Sequence, residues 1–430
     1  MRYYCPTARF CFDGGRLMSG LAKFALLAVV FVDLIGQGLV FPIINTLMMD
    51  PQQTFLPAAT PEATREFDYG LVIGIFFLSW FLGAAYISRI SDSIGRKNAI
   101  MICLAGALAG YIVTIVSLFL NSLWLLVLGR AITGFTAGNQ PIAQAAMVDA
   151  SRDDAEKGRN MGFIVAGISA GLVGGPIIGG ILSDKNLIGH VASIRLPFYC
   201  AVGLVLITII LVQLFFRDVR EPEKELSIQP LEIFRSLWRI FDYPTVLRIS
   251  LVFFFFQWAN VTFYIFIDNY LTDRFNIGLF GTSMAMMVLG VALASSSTLL
   301  VTPVQKRLTK ITIVAAMICA MIVCPLLYSL APHALYCYAL IFIYYFGFGI
   351  AYPTILGIFS ASVDDNEQGW VMGITVALFT LSAGITSFLG GELTSIDIRS
   401  PFYVSCCAAV AALALLYATW NRPEIRRITL

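Results

Sequence analysis

Charge is scarce in this chain. Only 13% of its 430 residues are Asp, Glu, Lys or Arg, against about 25% in a soluble domain. That leaves too few charges to cover a water-facing surface. Histidine is nearly absent, with His190 and His333 the only two. No CxxC pair and no Cys/His spacing suited to a metal occurs, so no metal site is expected. The nine cysteines lie mostly in apolar runs, where a thiol acts as a small hydrophobe, and they outline no disulfide framework. There is no glycine-rich phosphate loop, which argues against ATP as an energy source. Clustered acids or histidines at one membrane interface are also missing, so no catalytic residue is assigned and a membrane enzyme is disfavoured. An imbalance of charge is lacking too. The 28 Lys and Arg face 26 Asp and Glu, giving +2, which argues against nucleic acid as a partner. Residues 1–20 do not form a convincing signal peptide, and Met18 is a second candidate start.

Apolar residues are what the chain has in abundance. They make up 58%, and the mean hydropathy is +0.82. A membrane helix needs roughly 20 mostly apolar residues. Runs of that kind fall near 22–47, 69–88, 98–118, 122–148, 160–183 and 197–216. Six more follow near 247–270, 280–303, 311–330, 333–359, 368–391 and 400–420. The runs are too long for barrel strands, so the expected fold is all-α with twelve transmembrane helices. An even number puts both termini on one side. Twenty-two of the 28 basic residues then share that side, five lie opposite, and Arg130 falls inside a span. The positive-inside rule makes both termini cytoplasmic, in a multi-pass protein of the inner membrane.

Two stretches match without a gap, 151–182 and 362–393. Each begins S-x-D-D-x-E-x-G-x-x-M-G and ends G-G-x-L. The fifth and eleventh spans are thus equivalent members of two pseudo-symmetric six-helix halves, 1–216 and 247–430. Residues 217–246 form the linker between them, with an amphipathic piece at 231–241 expected to lie on the membrane surface. Transporters built from such repeats hold their substrate near mid-membrane between the halves.

Several motifs now come together. Loop 2–3 reads S-R-I-S-D-S-I-G-R-K, 88–97. The first span carries D-L-I-G-Q-G-L-V-F-P, 33–42, and the fourth G-R-A-I-T-G-F-T-A-G, 129–138. The fifth has G-L-V-G-G-P-I-I-G-G, 171–180. On these residues the chain resembles the major facilitator superfamily, and within it the twelve-helix drug–proton antiporters of the tetracycline and multidrug efflux type. The resemblance implies a gating loop at Asp92, Gly95, Arg96 and Lys97, with Ser88 and Ser93 departing from the family pattern. It also implies an antiporter motif at Gly171, Gly175, Pro176, Gly179 and Gly180, which in the family marks exporters. As physical features these small residues let helices approach closely.

Asp33 and Arg130 are the ionisable pair lying clearly within the first-half spans, and intramembrane acids are functional by default. The expectation is that Asp33 exchanges a proton for substrate and that Arg130 tunes it; a structural hydrogen bond is the competing reading for Asp33. Uncharged polar and aromatic residues suited to a cavity are Gln37, Asn139, Gln140, Gln144, Gln257, Trp258, Asn260, Tyr264, Tyr344, Tyr345 and Tyr352. For each, simple packing competes. Asp268 and Glu392 stand near the extracytoplasmic ends of spans, where headgroup solvation is the expected role, with lining of the outer cavity as the alternative for Asp268. The function that follows is secondary active export of a small molecule, drug-like compound, metabolite or siderophore. It would run on the proton gradient without a cofactor, by alternating access in a monomer embedded in lipid. Proton-coupled import of a nutrient or metal chelate is the alternative, and a non-transporting sensor would need a longer tail.

Overall fold

A computed structural model describes residues 19–50, 53–149, 151, 154–218, 238–364 and 367–429. The described residues are almost entirely helical. The N-terminal half comprises α1 (Gly20–Met49), α2 (Glu62–Ile94), α3 (Arg96–Leu120), α4 (Leu123–Phe135), α5 (Asn139–Asp149), α6 (Asp154–Ser183) and α7 (Leu196–Phe215). The C-terminal half comprises α8 (Pro244–Phe275), α9 (Leu279–Leu299), α10 (Lys310–Ser329), α11 (Ala334–Ala361), α12 (Gln368–Ile396) and α13 (Ser400–Thr419), with α14 (Pro423–Thr429) after it. Among the described residues nine helices are long and apolar enough to cross a membrane. The other three predicted spans correspond to α1, to α6 and to the pair α4–α5.

Local chemistry sets the boundaries. Ser19, Ser122 and Thr309 cap α1, α4 and α10, each side-chain oxygen accepting from a backbone N–H three residues on. Asn121 and Asn276 end α3 and α8 in the left-handed conformation. Gly95 separates α2 from α3 at φ 92°, a backbone angle that disfavours any residue with a Cβ.

The expected single span at 122–148 is broken. Pro141 has no N–H to give the carbonyl one turn back at Ala137, and Gly138 adds little helical preference. The helix stops at Phe135 and restarts at Asn139. Pro141 sits in the first turn of α5, where the missing donor costs nothing.

The internal repeat is visible in the packing. Each repeat helix lies along the first helix of its own half and the second helix of the other half. Thus α6 packs on α1 and α9, and α12 packs on α8 and α2. The glutamates of the two repeat loops also match. Glu156 pairs with Lys23 at the start of α1 at 3.0 Å, and Glu367 pairs with Arg239 just before α8. Residues 239–242 form a single 3-10 turn, with Trp238 and Phe241 exposed. The remainder of the expected amphipathic piece lies outside the described residues.

At the end opposite the linker, Arg65 is buried with no carboxylate paired to it among the described residues. Its guanidinium donates to the carbonyls of Met48, Pro57 and Thr60, which folds the α1–α2 loop around it.

Candidate functional site

Breaking the fourth span creates the site. The restart of α5 leaves backbone N–H groups free at its N-terminus, where an anion is favoured. Asp33 of α1 supplies that anion. Its carboxylate accepts from the Asn139 side chain at 3.2 Å and from the backbone N–H groups of Asn139 and Gln140. Asp33 is partly buried and Asn139 fully so. A charge inside the protein is thus matched by a helix terminus and an amide.

Arg130 is not an ion-pair partner of Asp33 among the described residues. Its guanidinium lies 4.0 Å over the Phe76 ring, and its Nε and Nη2 are buried without a hydrogen-bond partner. Tyr111 of α3 stands in electrostatic reach of both Asp33 and Arg130. Its hydroxyl presses on α1 one turn after Asp33, so close that a Cβ on Gly36 would stand 2.0 Å from it. The arrangement is a row of Asp33, Tyr111 and Arg130.

The glycine–proline motif of α6 holds that helix against this part of α1. A Cβ on Gly171 would stand 2.7 Å from Leu34 Cβ and 2.8 Å from the Phe31 carbonyl oxygen. Gly179 faces Leu39 on the same helix, while Gly180 faces Ser283 of α9. Pro176 lies inside α6 and lines a small apolar crevice with Phe280 and Met284, and Gly175 is buried.

Where α2 meets α3, Arg96 reaches Asp149 at the end of α5 at 3.3 Å and also bonds Ser91. Lys97 donates its backbone N–H to Asp218 and its Nζ to the Gln213 carbonyl. The side chains of Asp92 and of Gln37 lie outside what is described.

The cavity candidates divide. Gln140 and Gln144 extend from α5 beyond Asn139, partly exposed. Gln257 and Asn260 of α8 are buried with their side-chain carbonyl oxygens unpartnered. Tyr264 is partly buried on the same face. Trp258 instead packs on Phe254 and Phe255 of its own helix. Tyr344 and Tyr345 are buried against Phe263, their hydroxyls unpartnered, and Tyr352 stacks on Phe348. Tyr344 sits among Cys324 and Cys406 of α10 and α13, inside the C-terminal half.

One residue was misplaced by sequence reasoning. α8 runs to Phe275, beyond the expected end near 270, so Asp268 lies inside the helix and is 1% exposed. Headgroup solvation is excluded for it, whereas Glu392 is exposed. A cavity of about 730 Å³ does open at this end, but it is bounded by Gln53, Asn121, Lys185, Arg195 and Phe280 and lies away from Asp33.

Residues 26–387 match the Major Facilitator Superfamily. The chain belongs to that superfamily. It is therefore a multi-pass membrane transporter with two six-helix halves, and not an enzyme. It is 28% identical over 381 residues to the class H tetracycline resistance protein of Pasteurella multocida, covering 85% of this chain and 86% of that one. It is 24% identical over 402 residues to the quinolone resistance protein NorA of Staphylococcus aureus strain COL, covering 91% and 95%. Two solved structures share the fold. The human organic anion transporter MFSD10 (TETRAN) aligns with a TM-score of 0.70 at 17% identity, covering 92% of this chain and 99% of that one. A D-xylose-proton symporter aligns with a TM-score of 0.75 at 15% identity, covering 96% and 100%.

Proposed function

We propose that this transporter exports a small molecule in exchange for protons, with Asp33 as the proton-carrying group. The observation that carries the reading is the seat of Asp33. A membrane-interior carboxylate is tolerable as an anion only where donors meet it. Here those donors sit on a helix terminus that begins at a break, so a small shift of α5 against α1 changes the balance between charged and neutral Asp33. Arg130 acts on it through Tyr111. The resistance proteins among the relatives and the glycine–proline motif of α6 favour export. Substrate would be a drug-like compound, a metabolite or a siderophore, bound between the halves near Asn139, Gln140, Gln144, Gln257 and Asn260.

The proposal includes the division into 1–216, 217–246 and 247–430, a monomer in the inner membrane with both termini cytoplasmic, and no cofactor beyond the proton gradient. Inside-out vesicles test it, with tetracycline and a quinolone as first probes because the relatives' names report them. An acid vesicle interior should drive probe accumulation. Asp33→Asn should lower that rate by at least about tenfold, the scale of losing a proton-transfer group. Wild-type rates in Asp33→Asn would refute the role, and accumulation driven only by an acid exterior of right-side-out vesicles would replace export by import.

A further inference from the structure

Asp268 is a carboxyl group that the exchange at Asp33 does not use. It lies about two turns before the end of α8, and neither of its oxygens has a hydrogen-bond partner among the described residues. It completes a row on one face of α8, Gln257, Asn260, Tyr264 and Asp268, spaced by three, four and four residues. The titratable groups that act on it are Tyr69 of α2, Tyr264 of its own helix, Tyr328 of α10 and Tyr338 of α11. No Lys or Arg is among them. Three of those hydroxyls are committed elsewhere. Tyr69 donates to the Ile265 carbonyl, Tyr328 to that of Ile267 and Tyr338 to that of Gly281.

Tyr69 comes from the other half of the molecule. Its bond to Ile265, 3.2 Å long, seals α2 against α8 at the end opposite the linker. The seal therefore encloses a carboxyl for which the described residues supply neither a donor nor a cation. A lone carboxylate in such a place costs several kcal/mol or more, whereas a neutral acid costs far less. Parting the halves removes Tyr69 and admits water, which solvates the anion.

We propose that Asp268 is a second proton-binding site, in the C-terminal half, which must hold a proton for the end opposite the linker to close and which releases it to water at that end on opening. The inference deepens the proton-coupled reading above, but its conformational half can be tested without transport.

Full-length protein in lipid nanodiscs would carry spin labels at Ala63 and Asn276, exposed residues at the ends of α2 and α8, with the exposed native cysteines replaced. The distance between the labels is read from about pH 5 to about pH 9. Asp268 is neutral in the closed form and charged in the open one, so raising the pH favours opening. In the otherwise unaltered chain the ratio of long to short distances should rise at least about fivefold across that range. Asp268→Asn should stay at the short distance throughout, and Asp268→Glu should keep the response with a moved midpoint. A pH response in Asp268→Asn equal to that of the parent overturns the proposal. If the asparagine variant cannot be recovered, an unmoved midpoint in Asp268→Glu overturns it instead. Asp33→Asn should still respond to pH, and loss of the response there with retention in Asp268→Asn would assign the switch to α1 and sink the idea. A parent protein that switches with pH yet moves no protons with substrate would refute the coupled-export reading and leave this one standing.

Discussion

At the scale of single residues, the site depends on contacts too tight to admit an extra methyl group. Gly36 is the sharpest case. Its missing Cβ makes room for Tyr111 Oη, and Tyr111 is buried, so its hydroxyl cannot simply swing away. Gly36→Ala should cost about 1–3 kcal/mol, the usual penalty of overpacking. We expect a lower thermal midpoint in detergent and a fall in proton-driven transport, because the Asp33–Tyr111–Arg130 row is displaced. An unchanged midpoint would show that Tyr111 yields freely. That Asp33 and Arg130 are ionisable groups inside apolar runs was legible in the sequence. Their separation was not. Asp33 finds its donors 106 residues away at Asn139, and which donor reaches an acid is decided by helix placement.

Among the helices, α6 shows how a motif does its work. Gly171 lies against a backbone carbonyl and a Cβ of α1, neither of which can rotate out of the way. Gly174, one turn along, has its nearest neighbour at 3.6 Å, the rim of the Phe31 ring. Gly171→Ala should therefore destabilise by about 1–3 kcal/mol and reduce transport, while Gly174→Ala should change stability by less than about 1 kcal/mol. Equal effects in thermal melts of the two variants would contradict this packing. The small residues and the span itself could be read from sequence; which glycine touches what could not. The broken fourth span had a local signal in Pro141, three residues beyond Gly138, yet the apolar run continues across it and hides the break. Extension of α8 past 270 was hidden in the opposite way, because Asp268, Asp273 and Arg274 look like the polar end of a span.

For the molecule as a whole, two halves meet along α2–α12 and α6–α9, with Phe77 and Trp80 of α2 edge-on to Phe379 of α12. At the end opposite the linker a hydrogen bond joins Glu66 of α2 to Thr394 of α12, and a further tie is the bond from Tyr69 of α2 to the Ile265 carbonyl of α8. Removing the latter with Tyr69→Phe should cost the closed arrangement about 0.5–1.5 kcal/mol. That would shift the balance towards opening about two- to tenfold, read by the same Ala63–Asn276 distance at a fixed low pH. A distribution identical to the parent's would mean that packing and the Glu66–Thr394 bond hold the ends together.

The sequence by itself determined the number and order of the spans, the two-fold repeat and the family, because these follow from apolar length and from motifs read along the chain. The equivalent ion pairs of Glu156 and Glu367 were foreshadowed there, as paired loop glutamates without their partners. Only the tertiary structure decided which acids are enclosed and by what. Solvation depends on atoms brought in from distant segments, Asn139 for Asp33 and Tyr69 for Asp268, and nothing in the local run of residues specifies them.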